Sequence, residues 1–252
     1  MLHHTVVAGV ARIVMSSPPV NALSRQWGEA FHAVLDTLEA RDDWRALVVA
    51  SDLKVFCAGG DIKQYADRLD RDDAGDLLAA EAKFFHGLFT RISALPQVSI
   101  AEIAGAAVGG GMELALACDL RVAAEATKLG LAEVGVGLLP AAGGTQRMTK
   151  LIGRGAALRL IGAAELVTGR EALSLGLVEW AVPADDVRQR TAEIAGRFAD
   201  QPPEALRAAK VCIAAATDPA VDGYALEVTY PPRLMKTPAT QARIRDFLAR
   251  QR

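Results

Sequence analysis

The chain has 252 residues, 51% hydrophobic and 23% charged, with a net charge of -2. That is enough apolar content to bury a sizeable core as one large domain, or as one domain with an appendage. The near-neutral balance offers no basic surface for nucleic acid or an anionic membrane, and Cys57, Cys118 and Cys212 have neither disulfide-framework nor zinc-motif spacing.

Met1-Leu2-His3-His4-Thr5 has no basic leader region, and the longest apolar runs are interrupted by Glu, Gly or Arg. A protein without a spanning helix, working in a reducing cytoplasm, is expected. Val10–Met15 reads as a strand stopped by Ser16-Ser17-Pro18-Pro19. Ser24 is placed to cap a helix burying Trp27, Phe31, Val34, Leu35 and Leu38, spaced three and four apart. Ala46–Ala50 is an unbroken apolar run of strand length, the mark of a strand covered on both faces. The loop Phe56–Asp61 follows it.

Residues 74–95 read as a helix ending before Pro96, and Val98–Ile103 as a strand. The loop Gly105–Gly111 then opens a helix through Cys118, and Asp119–Ala123 returns as a strand. This recurring strand, glycine loop, helix order predicts an α/β body. A second turn, Pro140–Thr145, starts a helix through Leu151. Thr168-Gly169-Arg170-Glu171 is a capping box, and Gly176 ends the short helix behind it. After Pro183 the pattern is helical: Pro202-Pro203 and Thr237-Pro238 suit helix starts, while Pro231-Pro232 should break the helix between them. The expected division is an α/β body over 1–195 and a helical region over 196–252.

Three constellations have chemical potential. Gly109-Gly110-Gly111-Met112-Glu113 joins a buried strand to a helix start, where N–H groups lack intrahelical partners and favour negative charge. Such donors can stabilise an oxygen gaining charge, with Glu113 in the first turn beside it; a tight turn with Glu113 complementing the dipole fits as well. Cys57-Ala58-Gly59-Gly60-Asp61 also follows a buried strand and reads as a turn or as a second set of main-chain donors. Glu133 precedes the apolar stretch Val134–Pro140 and is either a solvated loop residue or a desolvated carboxylate suited to proton transfer. The histidines His3, His4, His32 and His86 lack metal-ligand spacing, so no metal is expected. Ser174 lies in a faint nucleophile-elbow pattern, but no histidine follows His86 to complete a triad. Phe84, Phe85 and Phe89 read as core.

Taken in order, Pro19–Leu23, Phe56–Lys63, Gly105–Asp119, Glu133–Arg147 and Thr168–Val178 resemble the crotonase, or enoyl-CoA hydratase/isomerase, family over roughly residues 10–185. The resemblance implies a crotonase-like spiral of ββα units with a C-terminal helical region that packs trimers, often as dimers of trimers. It implies an acyl-CoA thioester as ligand, with coenzyme A as part of the substrate and no separate cofactor. It maps the oxyanion hole to the N–H groups of Gly60 and Gly110. It places Ala58, Gly60, Asp61, Ile62, Lys63 and Gly110 against CoA, with Lys63 beside the phosphates. The two acid/base positions of its hydratases map to Glu113 and Glu133, which favours water addition to a trans-2-enoyl-CoA. The alternatives are a Δ3,Δ2-enoyl-CoA isomerase working through Glu133 alone, and a non-catalytic acyl-CoA binder. The chain departs from the pattern at Gly60, where alanine is commoner, at Ala132, where many hydratases have proline, and in a tail without the usual acidic Glu-Gly stretch.

Overall fold

The computed structural model describes residues 1–250. The chain opens with β1 (Leu2–Val7) and β2 (Val10–Met15), an antiparallel pair, then α1 (Arg25–Glu39). Three further turns each give one strand to each of two sheets. They are β3 (Ala46–Ser51) with β4 (Val55–Cys57), β5 (Val98–Ile103) with β6 (Ala106–Val108), and β7 (Leu120–Ala124) with β8 (Lys128–Gly130). Between them run α2 (Ile62–Ala66), α3 (Ala74–Ser93) and α4 (Gly110–Ala117). After β8 come a 3-10 turn (Glu133–Val136), α5 (Gly144–Gly162), β9 (Val167–Thr168), α6 (Gly169–Leu175) and β10 (Trp180–Val182). The larger sheet has the order β1-β2-β3-β5-β7-β10 and the smaller β4-β6-β8-β9.

The periodicity explains this layering. Along β3, Leu47 and Val49 face the main core with Phe31, Phe56 and Phe89, while Ala46, Val48 and Ala50 face a second cluster. That cluster is closed by Val187, Ile194 and Ala195 of α7 (Val187–Ala199). Both faces of β3 are therefore dry, as an unbroken apolar run requires. Ser24 caps α1 through the Trp27 N–H, and Thr168 and Glu171 form the reciprocal capping box of α6.

Residue 195, the expected boundary between body and helical region, lies inside α7, which packs on the large sheet. Beyond it stand α8 (Pro203–Ala215), α9 (Gly223–Glu227), α10 (Pro231–Leu234) and α11 (Pro238–Ala249); residues 251 and 252 of the expected helical region lie outside the described residues. Two expectations are sharpened. Pro231 and Pro232 do not merely break a helix: they open α10, where a missing N–H costs no intrahelical bond. The helix from Gly144 ends beside Leu151 as expected, because Gly153 (φ 77°, ψ 162°) is not helical, and a second helical stretch then continues α5 to Gly162. Cys57 and Cys118 are buried in the core and Cys212 is half-buried. Among the described residues no helix is long and apolar enough to cross a membrane.

Candidate active site

β4, β6 and β8 are adjacent and parallel, so the segments leaving their C-terminal ends meet in space. These segments are Ala58–Asp61, Gly109–Gly110 and Leu131–Glu133, drawn from positions more than seventy residues apart in sequence. Together they edge a cavity of about 640 Å³. Its wall includes Ala58, Gly60, Ile62, Gly110, Glu113 and Glu133, with apolar cover from Leu23, Leu78, Phe85, Val136 and Leu138. Phe85 thus belongs both to the core and to the cavity wall.

Two glycines make the junction possible. Gly109 has φ 56° and ψ -130°, a conformation that excludes most side chains, and it turns β6 directly into α4. A Cβ on Gly111 would stand 2.1 Å from the Cys57 carbonyl oxygen, so only glycine lets α4 approach β4 this closely. All eight residues of α4 are buried. The Gly59 Cα and the Gly60 N lie 3.5 and 3.7 Å from where a Cβ on Gly110 would be, so the two loops are in contact. Among the described residues, neither the Gly60 nor the Gly110 N–H donates to a protein acceptor. They are two main-chain donors side by side at the cavity wall, one of them at a helix N-terminus. Asn21, buried with φ 51°, secures the adjacent segment: its amide donates to the Phe56 carbonyl at 2.9 Å and to Ser51 Oγ at 2.8 Å.

The two carboxylates differ in their surroundings. Glu113 is 4% exposed, and its Oε1 accepts the N–H groups of Ala142 and Gly144, each at 2.8 Å. Burial raises its pKa above the ordinary carboxylate value, and these two bonds and the nearby Arg147 guanidinium offset only part of that rise. Arg147 also donates to the Ala142 carbonyl at 2.9 Å, bracing the turn that holds Glu113. Glu133 stands on the 3-10 turn with its Oε1 3.1 Å from where a Cβ on Gly109 would be. Its Oε2 is buried without a hydrogen-bond partner among the described residues. Burial, with repulsion from Glu113, pushes its pKa up to about 7. A desolvated carboxyl near neutrality can carry a proton, whereas a carboxylate fixed by two N–H donors favours ionisation.

Of the residues expected to meet CoA, Ala58, Gly60, Ile62 and Gly110 line the cavity. Asp61 instead caps α2, accepting the Lys63 N–H at 3.0 Å, and Lys63 is exposed. Sequence reasoning missed Tyr65, Arg147 as a brace, and Leu23. Tyr65 also accounts for Gly60: a Cβ there would stand 2.3 Å from the Tyr65 hydroxyl.

The model of the family described as "Enoyl-CoA hydratase/isomerase" matches residues 5–246. The chain is 39% identical over 198 residues to a "Probable enoyl-CoA hydratase" of Bacillus subtilis, covering 78% of this chain and 75% of that one. It is 38% identical to the mitochondrial enoyl-CoA hydratase domain-containing protein 2 of Bos taurus, over 81% of this chain and 70% of that one. Among solved structures, the enoyl-CoA hydratase of Bacillus anthracis superposes with a TM-score of 0.90 at 30% identity, covering 99% of this chain and 96% of that one.

Proposed function

The chain belongs to the enoyl-CoA hydratase/isomerase family, and on that premise we propose that it is an enoyl-CoA hydratase acting on trans-2-enoyl-CoA thioesters. The observation that carries this reading is the pair of desolvated carboxylates in one cavity, Glu113 held by two N–H groups and Glu133 with an unpartnered oxygen, beside two N–H donors without an acceptor among the described residues. The thioester carbonyl oxygen accepts from Gly60 and Gly110. Ionised Glu113 takes a proton from water as the water oxygen bonds to Cβ. The π electrons move toward the carbonyl, and the charge on its oxygen is held by the two donors. Protonated Glu133 then delivers its proton to Cα, which restores the thioester carbonyl. The net change is addition of H and OH across the double bond, with one proton passed from Glu113 to Glu133 before the next turnover.

CoA is part of the substrate, so this chemistry draws on no separate cofactor and on no metal. Ala58, Gly60 and Ile62 would bind CoA from the cavity wall, with Asp61 ordering the loop and Lys63 facing the phosphates from its edge. Assembly as a homotrimer or dimer of trimers and a cytoplasmic location complete the reading, with a role in fatty acid metabolism. One observation favours a second reading. Glu113 Oε1 is already spent on two turn N–H groups, as a structural anchor would be, leaving Glu133 to shuttle a proton in a Δ3,Δ2-enoyl-CoA isomerase.

The test is a turnover screen. Hydration of trans-2-enoyl-CoA removes the ultraviolet absorbance of the conjugated thioester, whereas isomerisation of a 3-enoyl-CoA creates it. Loss of absorbance from the 2-enoyl substrates supports the hydratase, and a gain from the 3-enoyl substrates alone supports the isomerase. Binding of acyl-CoA with turnover of neither supports a non-catalytic binder.

A further inference from the structure

Gly60 carries one of the two N–H groups at the cavity wall, yet its own backbone does not demand glycine. Its φ lies outside the left-handed region, unlike those of Gly59 and Gly109. What excludes a side chain there is space. A Cβ on Gly60 would stand 2.3 Å from the Tyr65 hydroxyl, 2.9 Å from its Cζ and 3.1 Å from its Cε2. The end of the Tyr65 ring therefore packs directly on the Gly60 Cα. Two other sides of this residue are closed by main chain. The Leu23 N–H donates to the Gly59 carbonyl at 2.8 Å, and Leu23 bridges Gly60 in parallel. Toward α4, a Cβ on Gly59 would stand 2.9 Å from the Gly110 nitrogen. Tyr65 closes the third side.

That ring is tied down. Its hydroxyl donates to Glu81 Oε1 at 3.2 Å, and Glu81 Oε2 accepts from Arg68 at 2.9 Å. Arg68 in turn donates to Gln64 Oε1 at 3.3 Å. Burial pushes the phenol's pKa up and the charge of Glu81 adds to this, so the hydroxyl stays a donor across the neutral range. Glu81 stands one turn before Phe85, where α3 enters the core with Leu88, Phe89 and Ile92. α2 itself has no buried residue. Support for the Gly60 loop on this side thus passes from the buried half of α3 through Glu81 to Tyr65. Glu81 and Arg68 take no part in the acid/base chemistry proposed above.

We propose that Tyr65, tied through Glu81 to α3, is a positioning residue for the Gly60 N–H: a strut that stands where a side chain of residue 60 would stand and keeps that donor aimed at the thioester oxygen. This rests on that oxygen lying at Gly60 and Gly110, as in the proposed function. Tyr65 acts through the loop and not on the reacting atoms. A hydrogen bond weakens steeply as its angle closes. A loop free to tilt would therefore still admit the ligand but would polarise its carbonyl less. Glycine at position 60 and tyrosine at position 65 are then a matched pair, each fitted to the other.

Isotope-edited infrared spectroscopy of saturating butyryl-CoA, labelled at the thioester carbonyl, reads that polarisation without turnover. In the wild type the bound carbonyl stretch should lie below that of the free ligand. Tyr65→Phe keeps the ring but frees it from Glu81, and Glu81→Leu frees it from the other end; either serves if the other does not fold. In both, the stretch should return toward the free value while the calorimetric affinity changes by less than about fivefold. Glu81→Gln retains an acceptor for the hydroxyl and should keep the wild-type stretch. Gly60→Ala should lose the downshift against the pinned ring. Adding Tyr65→Phe to it should restore part of the downshift, because the freed ring can yield to the new methyl group. A wild-type complex with no downshift sinks the oxyanion reading and the strut with it. A wild-type downshift that Tyr65→Phe and Glu81→Leu retain overturns the strut alone. So does a downshift lost only together with binding, or a Gly60→Ala defect that Tyr65→Phe deepens.

Discussion

At the scale of single residues, the proposed chemistry turns on how differently two glutamates are housed. Glu133 has its pKa pushed up to about 7 by burial, with an orphaned oxygen, while Glu113 is held by two N–H groups. The rate should therefore fall on the alkaline side with an apparent pKa near that of Glu133, about 7, as the acid loses its proton. It should fall on the acidic side as Glu113 is protonated; because the groups interact, both values belong to the pair. The same shift has a stability consequence. The folded state retains a proton on Glu133 between the unfolded value of 4.5 and about 7, so stability falls as pH rises through that window. Glu133→Gln removes the penalty. Its melting temperature should exceed that of the wild type at pH 8, with the difference vanishing near pH 4, as read by calorimetry. Sequence alone left Glu113 and Glu133 open between turn and site, because desolvation depends on what the fold brings over them. Tyr65 carried no signal, since one aromatic in a short polar helix does not reveal a neighbour sixteen residues away.

At the scale of elements, two contacts set the site and its support. The turn before α5 holds Glu113 and is itself braced by Arg147. Arg147→Leu should leave acyl-CoA affinity nearly intact while kcat falls by roughly tenfold to a hundredfold, the cost of a carboxylate displaced on the ångström scale. Comparing kcat and KM checks this. Behind the large sheet, α8 is docked by Lys210, whose Nζ donates to Asp119 Oδ2 at 2.6 Å and to the Gln97 carbonyl at 2.8 Å. Lys210→Met should lower stability by about 1–2 kcal/mol in urea unfolding, with Asp119 still partnered by Ser99. Much of the element order was legible, for local reasons: the Ser24 cap, the Thr168–Glu171 box and the apolar run of β3 each state their structure within a few residues. β1 was missed because its residues are exposed or half-buried on both faces, so no alternation shows. β10 was missed because it is three half-buried residues long. Both are placed by their partner strands rather than by their own pattern.

For the whole molecule, the spiral has one organising effect: each turn hands the smaller sheet a strand whose C-terminal loop reaches the same cavity. No short sequence window could show that convergence; the ordered motifs revealed it only through resemblance to a family that shares it. The C-terminal helices leave Tyr224, Val228, Phe247 and Leu248 exposed, more apolar surface than these amphipathic elements need alone. If they pack against further copies, sedimentation should give a mass of three or six times the 26.6 kDa chain, and Phe247→Asp should shift it toward one chain. The two-carboxylate mechanism itself is tested most directly by the hydration rate of crotonyl-CoA in Glu113→Gln, with the fold checked by circular dichroism. A fall of about a hundredfold or more is the result the mechanism requires. A rate close to wild type would contradict it and leave Glu113 an anchor for its turn.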